Sequence, residues 1–305
     1  MTENHPRSAS IAKQKHKYEQ KQKQKQKQNK YRDKADNYEH RAAKTMINIH
    51  QMYTYNDLRN FTYVIELENK EALVLDPWDA EESANAVRSK GLSLKAIINT
   101  HEHWDHTRGN EALVAEFGCE VWAHKNGEGK IPALTRTLSA GETITLSASE
   151  ELKVLDTPGH TFAHLCFLTL QDGVPQAVFT GDTLFNAGVG NCHNGGSPDA
   201  LYETIAEQFH TLPDGVLVYP GHDYLANNLA FTLSLEPSNE VAKSWLARVE
   251  GVDPGKTPVV TSIGDERTFN AFFRLDNGEI QASLELIEAS DREVFLALRA
   301  KRNHW

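Results

Sequence analysis

Four short apolar runs in this chain each end in a tight-turn sequence that carries histidine or aspartate, and this recurrence constrains the fold more than any other feature. Residues 96–99 lead into Thr100-His101-Glu102-His103-Trp104-Asp105-His106, and 152–155 into Asp156-Thr157-Pro158-Gly159-His160. Residues 177–179 lead into Thr180-Gly181-Asp182, and 216–219 into Pro220-Gly221-His222. Runs of four to eight apolar residues bounded by turn formers read as buried strands. Glycine at three of these turns lets the backbone reverse and deliver the next side chain into a shared space. Four strand ends of this kind can converge on one mouth, the usual position of a site in a layered α/β protein.

Further strand-like runs at 61–67, 72–75 and 165–170 alternate with helix-like segments at 80–89, 110–117 and 198–212. The last has Ser197 as a cap and Pro198 at the first helical position. Beyond His222 the pattern turns mainly helical, over 225–235, 239–249, 266–273, 278–288 and 292–299, with a Pro- and Gly-bearing loop at 252–263. The pattern divides the chain into residues 1–45, a domain of mixed strands and helices over 46–222 and a helical domain over 223–305.

The first segment differs in composition. Residues 1–45 hold thirteen Lys/Arg against five Asp/Glu, including Lys-Gln alternation, and are poor in apolar residues, so disorder is expected there. Met46, where the apolar pattern begins, is a candidate biological start. The remainder holds 19 Lys/Arg against 37 Asp/Glu, a field that opposes phosphate binding. A membrane partner is not expected, since no run of about 18 uncharged apolar residues occurs and the N-terminus lacks a signal peptide's apolar core. Cys119, Cys166 and Cys192 are too few and too scattered for a disulfide framework, which points to a reducing, cytoplasmic compartment.

Side chains two apart in an extended stretch share a direction, so His101 and His103 can grip one ion. Asp105 and His106 follow a bend and suit a second ion better. Nitrogen and carboxylate donors without thiolate suit Zn²⁺, and an oxygen-richer site also accepts Fe or Mn²⁺. Asp105 and Asp182 are the candidate catalytic carboxylates. His50, His124 and His210 lack a partnering motif and are read as ordinary histidines. Cys192 has no visible activating base and is read as a bystander.

The set THEHWDH, TPGHT, TGDTLF and PGHDY resembles the metallo-β-lactamase superfamily and, within it, the glyoxalase II (hydroxyacylglutathione hydrolase) family, from about residue 47 to the C-terminus. The resemblance implies an α/β fold, an αββα sandwich followed by a smaller helical domain that helps bind substrate. It implies two divalent metal ions, His101, His103 and His160 holding one, Asp105, His106 and His222 the other, with Asp182 bridging. It also implies hydrolysis of a glutathione-linked thioester by a hydroxide shared between the ions. His164 falls outside the ligand set and is expected to support it; Ala163 replaces the family's glycine.

The resemblance departs at 188–196. Where the family carries a basic and an aromatic residue toward glutathione, this chain has Asn191 and His193; Tyr224 and Arg274 match other positions able to contact the peptide. Three activities follow for weighing: hydrolysis of S-2-hydroxyacylglutathione such as S-D-lactoylglutathione, hydrolysis of another thioester or a lactone on the same core, and nucleic-acid processing or binding with help from the basic tail. The acidic charge of residues 46–305 opposes the third.

Overall fold

The computed structural model describes residues 48–305; the expected disorder of the tail and the candidate start at Met46 lie outside the described residues. Two six-stranded sheets face each other. The first runs β1 (Ile49–Tyr53), β2 (Phe61–Glu66), β3 (Glu71–Leu75), β4 (Ser93–Ile98), β5 (Glu120–His124) and β6 (Arg136–Leu138) in spatial order. In the second, β7 (Thr143–Thr145), β8 (Glu150–Asp156), β9 (Leu165–Gln171) and β10 (Val174–Gly181) lie side by side. A small hairpin follows, β11 (Leu184–Phe185) and β12 (Gly188–Val189), before β13 (Leu217–Pro220) pairs parallel to β10 and β14 (Thr261–Ser262) closes the sheet.

Strand alternation sorts the core into layers. Tyr63, Ile65, Leu73, Leu75, Ile98, Phe167 and Phe179 point between the sheets. Their neighbours Val64, Val74 and Ile97 point the other way, onto α1 (Ala80–Ser89) and α3 (Asn110–Phe117). On the far side Leu168, Val178 and Val218 pack against Phe231, Phe272, Phe295 and Leu298 of the helical region. Because each sheet is apolar on both faces, each must be covered twice, and a four-layer αββα arrangement results.

The first-layer helices keep the limits their capping signals set: the Asp79 side chain accepts from the amide of Glu82, and Gly118 ends α3 in the left-handed region. Other elements depart from the sequence reading. The helix expected over 198–212 is α4 (Pro198–Thr204), which widens into a π-helical stretch, Ile205–Phe209. The one expected over 266–273 is instead α7 (Ile263–Phe269), opened by a Ser262–Asp265 capping box and closed at Asn270, whose extended backbone precedes a separate 3₁₀ turn. The remaining helices are α5 (Leu225–Leu235), α6 (Glu240–Val249), α8 (Gly278–Ser283) and α9 (Asp291–Arg302). The short α2 (Trp104–Thr107) sits after β4 and carries Asp105 and His106.

Candidate metal centre

The carboxyl ends of β4, β8, β10 and β13 bring His101, His103, Asp105, His106, His160, Asp182 and His222 into one place, and all but the half-exposed His103 are buried. Two turns show how closely they pack. Gly181 has φ +45°, and a Cβ there would stand 2.6 Å from Thr100 Oγ1; one on Gly221 would stand 2.5 Å from Asp182 Oδ1. Any larger residue at either position would displace the site.

Each imidazole donates its outward N–H to an oxygen, which fixes the tautomer. His106 Nδ1 donates to Asp76 Oδ2 at 2.9 Å, His160 Nδ1 to the Asn191 carbonyl at 2.6 Å and His222 Nδ1 to the Leu58 carbonyl at 2.7 Å. His101 Nδ1 donates to Thr100 Oγ1 at 3.0 Å, which itself donates to Asp76 Oδ2, and His103 Nε2 donates to the Asn194 carbonyl at 3.3 Å. The inward nitrogens are therefore bare lone pairs. Yet His103 Nδ1 lies 3.0 Å from both His101 Nε2 and His160 Nε2, and His106 Nε2 lies 3.2 Å from His222 Nε2. Lone pairs aimed at one another at this distance call for a cation between them. Donors ~2.0–2.1 Å from one tetrahedral cation stand about 3.3 Å apart, so the spacing fits.

The carboxylates complete the arrangement. Asp105 Oδ2 is 3.3 Å from His106 Nε2 and 3.5 Å from His222 Nε2. Asp182 spans both groups: Oδ1 stands 3.2 Å from His222 Nε2 and 3.4 Å from His106 Nε2, while Oδ2 stands 3.4 Å from His160 Nε2. Asp182 Oδ1 is buried without a hydrogen-bond partner among the described residues, which leaves its lone pairs open to a cation. Three donor groups can each hold one ion: His101, His103, His160; His101, His106, Asp182; and Asp105, His106, His222.

Charge and burial set the protonation states. Burial and the surrounding imidazoles hold His101 well below the usual histidine range, leaving it neutral and able to donate a lone pair. Burial alone would raise Asp182, but the imidazoles of His222, His106 and His160 outweigh it and keep the carboxyl well below its ordinary range. Asp105 is likewise lowered, burial opposing and His106 prevailing. His164 stays outside the donor group. Its Nε2 accepts from the Asp182 amide at 3.1 Å, its Nδ1 meets Thr157 Oγ1, and its ring stacks on His101 at 5.0 Å.

A cavity of about 250 Å³ adjoins this centre, lined by Phe185, Val189, Asn191, His193, Tyr224, Asn228, Arg299, Arg302 and Asn303. The Tyr224 ring stacks on that of His222 at 5.0 Å. Asn191, His193 and Tyr224 are thus at the cavity, but Arg274 is not among its lining residues. Its guanidinium is taken by the buried Glu236, Nε donating to Oε2 at 3.0 Å and Nη2 pairing with Oε1. The substrate contact expected of Arg274 would have to compete with this pair. The cations at the cavity are Arg299 and Arg302 of α9, to which the sequence reading gave no role. Asp76 was also missed, although it follows the apolar run 72–75 as the ligands follow theirs.

The remaining candidates have ordinary partners. His50 pairs with Glu66, His124 Nδ1 accepts from the Asn126 amide, and His210 stacks on Phe273. The three cysteines are free, and burial pushes the Cys192 thiol up to about 11, which leaves it inert.

The layered sheets and the His/Asp centre at their strand ends are those of the metallo-β-lactamase superfamily, to which this chain belongs: residues 55–222 match that family. Residues 223–305 match the hydroxyacylglutathione hydrolase C-terminus. Within the superfamily the chain is a member of the hydroxyacylglutathione hydrolase family. It is 46% identical over 264 residues to the hydroxyacylglutathione hydrolase of Polaromonas sp. (strain JS666 / ATCC BAA-500) and 45% identical over 264 residues to that of Nitrosococcus oceani. Each match covers 84% of this chain and 99% of the relative. Among solved structures it is similar to ETHE1 from Myxococcus xanthus, with TM-score 0.58 and 25% identity over 84% of this chain and 98% of that one.

Proposed function

We infer that this chain is a metal-dependent hydrolase that cleaves the thioester of S-2-hydroxyacylglutathione, such as S-D-lactoylglutathione, to a 2-hydroxy acid and glutathione. The observation that carries this reading is the inward convergence of five imidazole lone pairs and two carboxylates, with one oxygen of Asp182 turned to each group. His101, His103 and His160 would hold one divalent cation, Asp105, His106 and His222 a second, and Asp182 both. Zn²⁺ suits both sets, and Fe or Mn²⁺ also suits the oxygen-richer second. When bound, such a pair lowers the pKa of a water toward neutrality and polarises the carbonyl it faces.

The chain's own groups supply the rest. Asp105 and Asp182 remain charged beside the imidazoles, and as the catalytic carboxylates they would complete the donor sets that hold the cations. A thiol leaving group with an ordinary pKa of about 8.5 departs as thiolate without a protein acid. Glutathione is anionic, and Arg302 and Arg299 at the cavity offer the positive charge that Asn191 lacks. Arg302 is the freer of the two: among the described residues its Nη2 donates to the Asn228 side chain at 3.3 Å and its guanidinium lies over the rings of Phe231 and Trp305, whereas Arg299 Nη1 already serves the carbonyls of Val189 and Gly190. Tyr224, Asn191 and His193 would line the peptide's path, and residues 223–305 would form the substrate-binding region beside a catalytic region over 46–222. Among the described residues no helix is long and apolar enough to cross a membrane, and unpaired cysteines suit the cytoplasm.

The test compares initial rates on lactoylglutathione, a simple acyl thioester, an acyl-homoserine lactone and single-stranded RNA, alongside metal analysis of the same protein. Preference for lactoylglutathione supports the reading; preference for the lactone or RNA overturns it. Asp182→Ala is expected to lose bound metal and at least a hundredfold in turnover, and a fully metallated, fully active variant would refute its role.

A further inference from the structure

The connection between β1 and β2, residues 54–60, carries none of the strand-end motifs, yet it holds two of the three donors of the second group. The buried Asn60 donates from Nδ2 to Asp105 Oδ2 at 2.9 Å. This is the same oxygen that faces the Nε2 atoms of His106 and His222. Asn60 Oδ1 accepts from Asn56 Nδ2 at 3.0 Å, which fixes the amide with its donor end toward Asp105. Two residues earlier, the Leu58 carbonyl accepts from His222 Nδ1 and from the Tyr224 hydroxyl. Backbone pairing keeps the connection in register with the ligand turn: Phe61 N donates to the Gly221 carbonyl at 2.8 Å, and Asn60 forms an isolated bridge with His222. In the first group His160 and His103 take outer partners from a different segment, the carbonyls of Asn191 and Asn194, and His101 reaches Asp76 through Thr100 Oγ1.

We propose that Asn60 is a positioning residue that sets the affinity of the second cation site independently of the first. The choice of an amide is physically apt. A lysine or arginine against Asp105 Oδ2 would hold the carboxylate but compete with the cation for its charge. A neutral donor orients the oxygen and leaves its charge for the ion. The two groups share Asp182 and, through Thr100 Oγ1, the carboxylate of Asp76, but the Asn60 amide touches only Asp105 among the donors, so a change at Asn60 reaches the Asp105, His106, His222 group and leaves the His101, His103, His160 group alone.

The inference rests on the two-cation reading, and its test separates the two. Metal-free full-length protein is titrated with Zn²⁺ against a chromophoric chelator, in wild type, in Asn60→Leu, which keeps the branched side-chain skeleton and removes the donor, and in Asn56→Ala, which removes the orienting amide. Wild type is expected to take two equivalents. In Asn60→Leu the first equivalent is expected to bind within about twofold of wild type and the second roughly 10- to 100-fold more weakly, with a smaller selective loss in Asn56→Ala. Unchanged binding of both equivalents, or equal weakening of both, overturns the role of Asn60 while the two-cation reading stands. Uptake of a single equivalent by wild type overturns that reading and this inference together. If Asn60→Leu does not fold, the same criterion is applied to Asn56→Ala.

Discussion

Replacing Glu266 by glutamine is expected to change how stability depends on pH while leaving the metal centre untouched. Glu266 is fully buried on α7. Its Oε2 accepts from the Ala187 amide at 2.9 Å and from Asn270 Nδ2 at 2.8 Å, and its Oε1 from Thr261 Oγ1 at 2.7 Å. Ala187 lies in the turn of the β11–β12 hairpin, so this carboxyl clasps the segment between Asp182 and the cavity. Burial raises its pKa from 4.5 to about 8, the three donors only partly offsetting the cost. A folded pKa above the unfolded one means that Glu266 contributes its full stability below pH 4.5 and loses it as pH rises through 8. Between pH 6 and 9 the loss amounts to roughly 2 to 3 kcal/mol, at about 1.4 kcal/mol for each tenfold difference in proton affinity between the folded and unfolded chain. Glutamine keeps the acceptor toward Ala187 and Asn270, offers an amide to Thr261 Oγ1 and does not titrate. Urea unfolding of holoenzyme at pH 6, 7, 8 and 9 measures the difference between the two proteins, from which any common effect of pH on the metal centre cancels. The variant is expected to gain on wild type by roughly that 2 to 3 kcal/mol across the range. Parallel curves would refute the argument.

Three further outcomes are expected. Asp76→Asn removes the acceptor that orients His106 and should weaken metal binding about 10- to 100-fold in a chelator competition. Arg302→Ala should raise KM for lactoylglutathione by an amount equivalent to roughly 1.5–3 kcal/mol with little change in kcat, because it removes a charge-assisted contact made throughout the reaction. Arg274→Ala leaves the buried Glu236 without its counter-charge, with Asn239 and Asn277 still donating to it, and should cost about 2–3 kcal/mol in urea unfolding, with KM unchanged in the folded fraction.

The sequence makes the parts with strong local signals legible. The limits of α1 and α3 follow from Asp79 and Gly118, and the seven metal-centre residues stand out because each follows an apolar run and a turn. Two- and three-residue strands such as β6, β11 and β14 leave no periodicity to read, and the break at Asn270 depends on what Asn270 meets in the fold. Arg274 and Arg302 are equivalent as sequence, basic residues in or beside apolar-patterned segments. Only tertiary packing gives one to Glu236 and turns the other to the cavity. Asn60 escapes notice for a similar reason, since its partner Asp105 lies 45 residues away.

The most direct measurement is turnover of lactoylglutathione by exhaustively chelated protein, before and after stepwise return of Zn²⁺. Activity is expected to fall to background on chelation and to return in full as two equivalents bind. Undiminished turnover by protein shown to be free of metal would contradict the account.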